Sequence, residues 1–315
     1  MESEVSVRRN TPARGNKTMF FLLLYLIVGV IVFPLIFMSI GLDVESMLAS
    51  AVIYVLVLFV PFVFYLLFTR QTHRAVLKWK PLGKTNALLV IGITIAIIPF
   101  LSIVSRLSAF VFFPVINEYM MDITSYPIWF SLFTVAVLPA LFEEFLFRGA
   151  LYAEFEQLPI KKIALITGLF FGIMHLNFHQ SIYAGLMGIL YAYILFYTQT
   201  IWAPILMHFA NNSIAVAFAY ATPHSARMTE LGENLPMFLL VYGSLSLVML
   251  PVFLLCFKKL KANAALPPKE AVEYAGEATE AAPAPKVKVF TWAFWVVLGL
   301  FLLFGGLMEI ALRLL

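Results

Sequence analysis

Three stretches of the sequence place ionisable and amide side chains within apolar segments, where such groups are costly and therefore rare. The residues concerned are Glu143, Glu144 and Arg148 in LFEEFLFRG, His175 in FFGIMHLNFH, and His208 and Asn212 in LMHFANN. A carboxylate can act as a general base, a histidine can move a proton, and His and Asn can present hydrogen-bond donors or acceptors. Together these residue types suit proton exchange and hydrogen bonding at one site.

Helical spacing separates the two acids of the first stretch. Glu144 and Arg148 are four residues apart, so on an α-helix they share one face and can form an ion pair. Glu143 points elsewhere, and one arginine cannot fully neutralise two acids in a site of low dielectric constant. We therefore predict that Glu143 is the acid left free for proton exchange.

The hairpin that follows brings a histidine to the same depth as this acid. If the chain reverses near Leu158-Pro159, residues equally distant from the turn lie at the same depth. Glu143 and His175 are each 16 residues from position 159. We therefore expect these two side chains to meet inside the membrane.

The remaining polar residues have different expected roles. His208 and Asn212 are one turn apart and can present hydrogen bonds to one point, whereas Asn211 faces about 100° away and is predicted to pack between helices. His179 lies one turn beyond His175, but its polar neighbours predict a surface histidine at the outer interface rather than a metal ligand.

The elements that must position these residues are membrane-spanning helices. Of the 315 residues, 62% are hydrophobic and 12% are charged, which leaves too few polar residues to cover a soluble globule. We predict an all-α, polytopic integral membrane helix bundle with about nine transmembrane helices, or eight if a weak span, the third or the ninth, fails. The predicted spans are 18–40, 47–68, 87–104, 128–147, 162–178, 182–198, 201–221, 236–257 and 290–311.

Basic residues cluster in alternate connecting segments. They precede the first span, follow the second, precede the fifth and follow the eighth, whereas only Asp43 and Glu45 are charged between the first two spans. The positive-inside rule then predicts a cytoplasmic N-terminus and an external C-terminus, in a bacterial plasma membrane. The net charge of +4 is explained by these loops, so no nucleic-acid partner is expected.

The spans divide the chain into six regions. These are a cytoplasmic tail (1–17), N-terminal transmembrane helices (18–124), the helices with the polar motifs (125–221), an eighth helix with its flanks (222–261), a flexible linker (262–289) and a C-terminal helix (290–315). The last helix is predicted to be an appendage, with Gly305 and Gly306 permitting close packing and Glu309 pairing with Arg313.

In their order along the chain, the three motifs resemble a known family. EEFLFR fits E-E-x-x-x-R, residues 171–175 fit F-x-x-x-H and residues 208–212 fit H-x-x-x-N. Over about residues 125–220 the chain resembles the CPBP family, also called the CAAX protease and bacteriocin-processing or Abi family, which includes the type II CAAX prenyl endopeptidases. The resemblance implies an intramembrane endopeptidase.

The resemblance also implies a role for each motif residue. Glu143 and His175 would activate a water molecule, and His208 and Asn212 would stabilise the oxyanion. Glu144 and Arg148 would hold the site together.

Cofactor and partners follow from the same reasoning. The single cysteine, Cys256, excludes a thiolate metal cluster, and no H-E-x-x-H helix is present. No metal cofactor is therefore expected. The expected partners are a membrane-associated peptide or protein substrate and the lipid bilayer, and nothing in the sequence indicates a prenyl group.

Three alternatives remain open. A zinc-dependent hydrolase would use His175, His208 and Glu143 or His179 as ligands. A catalytically silent maturation or immunity partner would use the same bundle to hold another membrane protein. A proton-coupled transporter would use buried Glu and His as a relay, although the sequence shows no inverted repeat.

The route to the site follows from the depth of its residues. We expect substrate to arrive from within the membrane or through a cavity open to the cytoplasm. We also expect the fourth and fifth helices to extend about two turns beyond the bilayer. Phe155 would then be exposed to the cytoplasm, whereas Leu138 would be protected.

Overall fold

The computed structural model describes residues 11–44, 46–114, 123–221, 234–264 and 288–314. Within these ranges the chain is helical and contains no strand, so the predicted all-α fold is confirmed. Most of the predicted N-terminal tail, Glu45 and most of the predicted linker lie outside the described residues. The long helices are α1 (Pro12–Ser39), α2 (Met47–Thr69), α3 (Lys84–Ser108), α4 (Ile128–Phe155), α5 (Ile160–Ile173), α6 (Phe178–Thr198), α7 (Trp202–Ala221), α8 (Leu235–Ala262) and α9 (Trp292–Leu314).

Seven of these helices are long and apolar enough to cross a membrane, so the chain is an integral membrane protein. All nine predicted segments are helical in the described chain, but α5 and α7 fall outside the seven. α5 has only 14 residues, about 21 Å of helix. α7 is long enough, with 20 residues, but its polar side chains lower its hydropathy.

The turn between α5 and α6 lies about five residues earlier than predicted. α5 ends at Ile173, and Asn177 caps α6 by accepting a hydrogen bond from the backbone N–H of Gln180. Leu176 has a positive φ of 52°, which breaks the helical path between them. His175 therefore lies in the turn rather than within the fifth helix, because an Asn N-cap starts the next helix.

α4 is longer than predicted and contains two π-helical turns, at Phe133–Val137 and Phe145–Leu151. The α-helical segment Leu138–Glu144 lies between them and ends with the two glutamates. π turns inside α-helices are frequent at functional sites because the extra residue re-aims the following side chains. The irregular backbone of α4 is thus centred on the first polar motif.

Polar contacts tie one set of helix ends together. At this end Arg14 of α1 donates to Glu154 of α4 at 2.8 Å, and Asn263 after α8 donates to Asn86 of α3 at 3.0 Å. The starts of α1, α3, α5, α7 and α9 and the ends of α2, α4, α6 and α8 lie here by chain order, with the predicted cytoplasmic basic residues. We call this the basic end, and the other the opposite end.

The half of the bundle next to the basic end is a packed core. Every residue of α4 from 146 to 155 is buried, and Phe155 is 0% exposed. A Cβ at Gly15 of α1 would lie 2.7 Å from the Phe155 ring. The expectation that Phe155 is exposed is therefore wrong, because α1 covers the end of α4; Leu138 is buried, as expected.

The C-terminal helix is part of the bundle rather than an appendage. Gly305 is buried against the ring of Phe178, and Phe178 also contacts Phe301 with ring centroids 5.2 Å apart. The predicted pair of Glu309 and Arg313 forms at 2.7 Å. α9 thus covers the start of α6, which follows the turn that carries His175.

Candidate active site

The polar motifs converge on one cavity of about 1050 Å³. Glu143 from α4, His175 from the α5–α6 turn, and His208 and Asn212 from α7 line it. Glu144 and Arg148 are not among its lining residues and lie in the core behind Glu143. The fold therefore brings the six predicted residues to one region. Four of them line the cavity, and the other two are buried in the core.

Glu143 is held by one tyrosine and faces one histidine. Its side chain accepts a hydrogen bond from the Tyr54 hydroxyl of α2. Its other carboxylate oxygen, Oε2, lies 3.9 Å from Nε2 of His208, which is too long for a direct hydrogen bond. Glu143 is thus positioned by α2 and α7 while lining the cavity.

Glu144 is fully buried between the guanidinium group of Arg148 and the imidazole ring of His208. Its Oε2 lies 3.2 Å from Nε of Arg148, so the predicted ion pair forms. Its Oε1 lies 2.9 Å from Nδ1 of His208. Because this acid has two partners and no solvent, it fixes α7 to α4 rather than facing the cavity.

Arg148 contacts a backbone carbonyl and two aromatic rings. Its Nη2 donates to the carbonyl oxygen of Gly188 at 2.9 Å. Its guanidinium lies 4.5 Å from the ring centre of Phe171 and 5.0 Å from that of Tyr191, distances at which cation–π attraction operates. Glycine at 188 allows this approach, since a Cβ there would lie 3.2 Å from Nη2.

The orientation of His208 is set by Glu144 and Tyr191. A carboxylate can only accept, so Nδ1 donates to Glu144 and Nε2 is directed toward Glu143. The ring stacks on Tyr191 with centroids 5.2 Å apart and planes 23° apart. His208 therefore connects the buried pair to the carboxylate that lines the cavity.

His175 is oriented by a backbone carbonyl of the preceding helix α5. Its Nδ1 lies 2.8 Å from the carbonyl oxygen of Phe171, and because a carbonyl only accepts, Nδ1 is the donor. In the neutral ring Nε2 then keeps a lone pair. His175 and Glu143 line the same cavity, but within the described chain no direct hydrogen bond joins them.

Both Asn211 and Asn212 of α7 line the cavity, although only Asn212 was predicted to do so. Asn212 donates from Nδ2 to the carbonyl oxygen of Val135 at 2.9 Å, and Asn211 donates to Oδ1 of Asn212 at 3.1 Å. The prediction that Asn211 only packs between helices is wrong, because the cavity is wide enough to reach both positions. Asn211 positions the amide of Asn212.

The prediction of a surface position for His179 is also wrong. The residue is 2% exposed, and its Nε2 donates to the carbonyl oxygen of Ser105 at 3.0 Å. The first turn of α6, which carries His179, packs against α3. The sequence alone does not predict that these two helices are neighbours. His179 lines the same cavity as His175.

Comparison with known proteins agrees with the position of the site. Residues 124–214 match the family described as type II CAAX prenyl endopeptidase Rce1-like. This segment of the chain is similar to the CPBP, or CAAX protease, family. All six predicted site residues lie within the matched segment, and the relationship indicates a protease. Neither the curated proteins nor the solved structures contain a match.

A zinc site of the alternative type does not fit the geometry of this CAAX-protease-like segment. No group of three His, Cys, Asp or Glu side chains in the described parts of the chain is arranged to hold a metal ion. The described residues therefore show no preformed three-ligand site for zinc.

The sequence reasoning missed Tyr54 and Tyr191, which contact the site from α2 and α6. Both are aromatic residues in apolar helices, where tyrosine is common and carries no motif. No local signal distinguishes them. Only the packing of α2 and α6 against α4 and α7 identifies them.

Proposed function

We propose that this protein is an intramembrane endopeptidase that hydrolyses a peptide bond of a membrane-associated protein or peptide. The relationship to the CAAX proteases supports a peptide hydrolase. The observation that carries the proposal is the convergence of Glu143, His175 and His208 on one cavity within the membrane-spanning bundle. A base and hydrogen-bond donors in a confined pocket are what amide hydrolysis needs.

In the proposed reaction, Glu143 and His175 activate water. Glu143 takes a proton from the water molecule as its oxygen attacks the carbonyl carbon. The lone pair on Nε2 of His175 accepts the second hydrogen bond of that water and orients it. The proton held by Glu143 then passes to the leaving amine as the carbon–nitrogen bond breaks, so the Glu143 carboxylate is regenerated.

His208 and Asn212 are the proposed oxyanion donors. Nδ1 of His208 is used by Glu144, so Nε2 donates to the oxyanion only when both ring nitrogens carry a proton. The Asn212 amide has two N–H donors, one of which is used by Val135, and the other is assigned to the oxyanion. Glu144 and Arg148 hold His208 in position.

The remaining parts of the proposal concern setting and substrate. The protein acts without a metal cofactor, in a plasma membrane, with a cytoplasmic N-terminus and about nine membrane-inserted helices. Its substrate is a membrane-associated peptide or protein. The silent-partner alternative predicts the same fold without turnover.

Replacement of Glu143 tests the hydrolytic proposal. Glu143→Gln keeps the side-chain shape but removes the base, so cleavage should fall by about 10²–10⁴-fold. The measurement compares the membrane proteome of cells with the intact and the substituted protein, followed by cleavage of the accumulated substrate by purified protein. Glu156→Gln, at an exposed carboxylate, is the matched control.

Two results would contradict the proposal. One is near-normal cleavage by purified Glu143→Gln protein with an unchanged melting temperature. The other is an identical set of membrane peptides in both cells and no cleavage by the intact protein, which would favour a silent partner.

A further inference from the structure

The cavity occupies the half of the bundle nearest the opposite end. On α2, α3 and α8 the lining residues that lie deepest are Tyr54, Ile98 and Tyr242. Each is about seven to ten residues from the terminus of its helix at the opposite end. None of the basic residues in segment 70–84 lines it. Glu143 and His208 lie at its deep, inner boundary.

The other half of the bundle closes the route from the basic end. Below Glu143, α4 is buried throughout residues 146–155, which is about 15 Å of helix. Arg148, Phe171 and Tyr191 fill the space immediately beneath the carboxylate pair. A peptide arriving from this end would have to displace the packed core.

The wall of the cavity toward the opposite end contains polar side chains among apolar ones. Nε of Arg106 and Nδ1 of His179 are buried without a hydrogen-bond partner among the described residues, and Ser102 and Gln180 lie in the same wall. Buried polar atoms of this kind need water or a polar ligand. A cavity open only to lipid tails would leave them unsatisfied.

We propose that substrate reaches Glu143 from the opposite end of the bundle, as a peptide segment exposed at the non-cytoplasmic face of the membrane. The positive-inside rule assigns the basic end to the cytoplasm, so the opposite end faces outward. This replaces the expectation of a cavity open to the cytoplasm. The identity of the occupant as a substrate rests on the proposed hydrolase, whereas the side of access does not.

Thiol labelling tests the side of access without requiring activity. In the full-length protein carrying Cys256→Ser, one cysteine is introduced at Ser102, in the cavity wall, or at Lys161, which is exposed at the basic end. A membrane-impermeant thiol reagent is added to intact cells or to inverted membrane vesicles. We expect Ser102→Cys to react only in intact cells and Lys161→Cys only in inverted vesicles.

Each other outcome overturns the inference. Reaction of both cysteines from the same side would place the cavity at the basic end. Reaction of Lys161→Cys in intact cells would reverse the orientation. Absence of Ser102→Cys labelling from both sides, in protein that denaturant makes fully reactive, would mean access from lipid. Failure of the Glu143→Gln cleavage test would leave these labelling results unchanged, so the two proposals fail separately.

Discussion

Glu143 and Glu144 are adjacent in the sequence, yet they have different surroundings because successive helical side chains diverge by about 100°. Glu143 lines the cavity and is held by Tyr54. Glu144 is 0% exposed and contacts Arg148 and His208. The first is suited to chemistry and the second to holding two helices together.

Glu144→Gln should therefore lower stability as well as activity. The substitution leaves Arg148 as a buried cation without its carboxylate partner, which costs about 3–5 kcal/mol when a buried pair is broken. The melting temperature in detergent should fall relative to that of Glu143→Gln protein. A stable but inactive Glu144→Gln protein beside an active Glu143→Gln protein would show that the roles are reversed.

Tyr54→Phe removes the hydroxyl that donates to Glu143 without changing the shape of the ring. Loss of a hydrogen bond to a charged group costs about 1.5–3 kcal/mol, so kcat/KM should fall roughly 10- to 100-fold. Tyr25→Phe, whose hydroxyl contacts the Leu56 carbonyl outside the cavity, is the control. Equal activity of the two variants would argue against a role for Tyr54 in positioning the base.

Metal content can be checked on the same purified protein. Because no three His, Cys, Asp or Glu side chains of the described residues are grouped closely enough to hold a metal ion, active protein should contain substoichiometric zinc and keep its activity after exhaustive chelation. Elemental analysis beside a cleavage assay measures both. A stoichiometric ion whose removal ends cleavage and whose return restores it would support the zinc alternative.

At the scale of the elements, short helices and irregular turns position the site. α5 stops after 14 residues, which leaves His175 in a turn where its backbone contact with Phe171 can orient it. The π turns of α4 flank the segment that ends with the glutamates. α9 supports this region by packing on Phe178 at the start of α6.

The two adjacent glycines of α9 provide a test of that support. A Cβ at Gly305 would lie 2.8 Å from the ring of Phe178, whereas a Cβ at Gly306 would meet nothing within 4 Å. Gly305→Leu should destabilise the protein by about 1–3 kcal/mol through overpacking, and Gly306→Leu should be tolerated. Equal melting temperatures of the two variants would mean that α9 does not pack on α6.

At the scale of the whole molecule, the bundle has a packed half and a hollow half. The packed half gathers the basic segments and buries the end of α4, and the hollow half holds the cavity. The proposed catalytic groups lie at the boundary between the two halves. The packed half excludes bulk water from Glu144 and Arg148, which strengthens the electrostatic interaction between them.

The packed half can be tested by labelling at two neighbouring positions. In protein without Cys256, a cysteine at Phe155 should resist an impermeant thiol reagent from either side because the site is buried under α1. A cysteine at Gln157, which is exposed two residues later, should react in inverted vesicles. Comparable reactivity of the two cysteines would show that α4 extends out of the core.

The sequence by itself determined the helical membrane fold, the positions of most helices, the Glu144–Arg148 pair and the motifs of the related family. These features are local, because composition and a four-residue spacing act within one helix. The tertiary structure alone decided the contact of Tyr54 with Glu143 across 89 residues, the burial of His179 and Phe155, and the side on which the cavity lies. Such contacts depend on which helices pack together. Because the apolar helices have similar compositions, the sequence of one helix does not indicate which other helices pack against it.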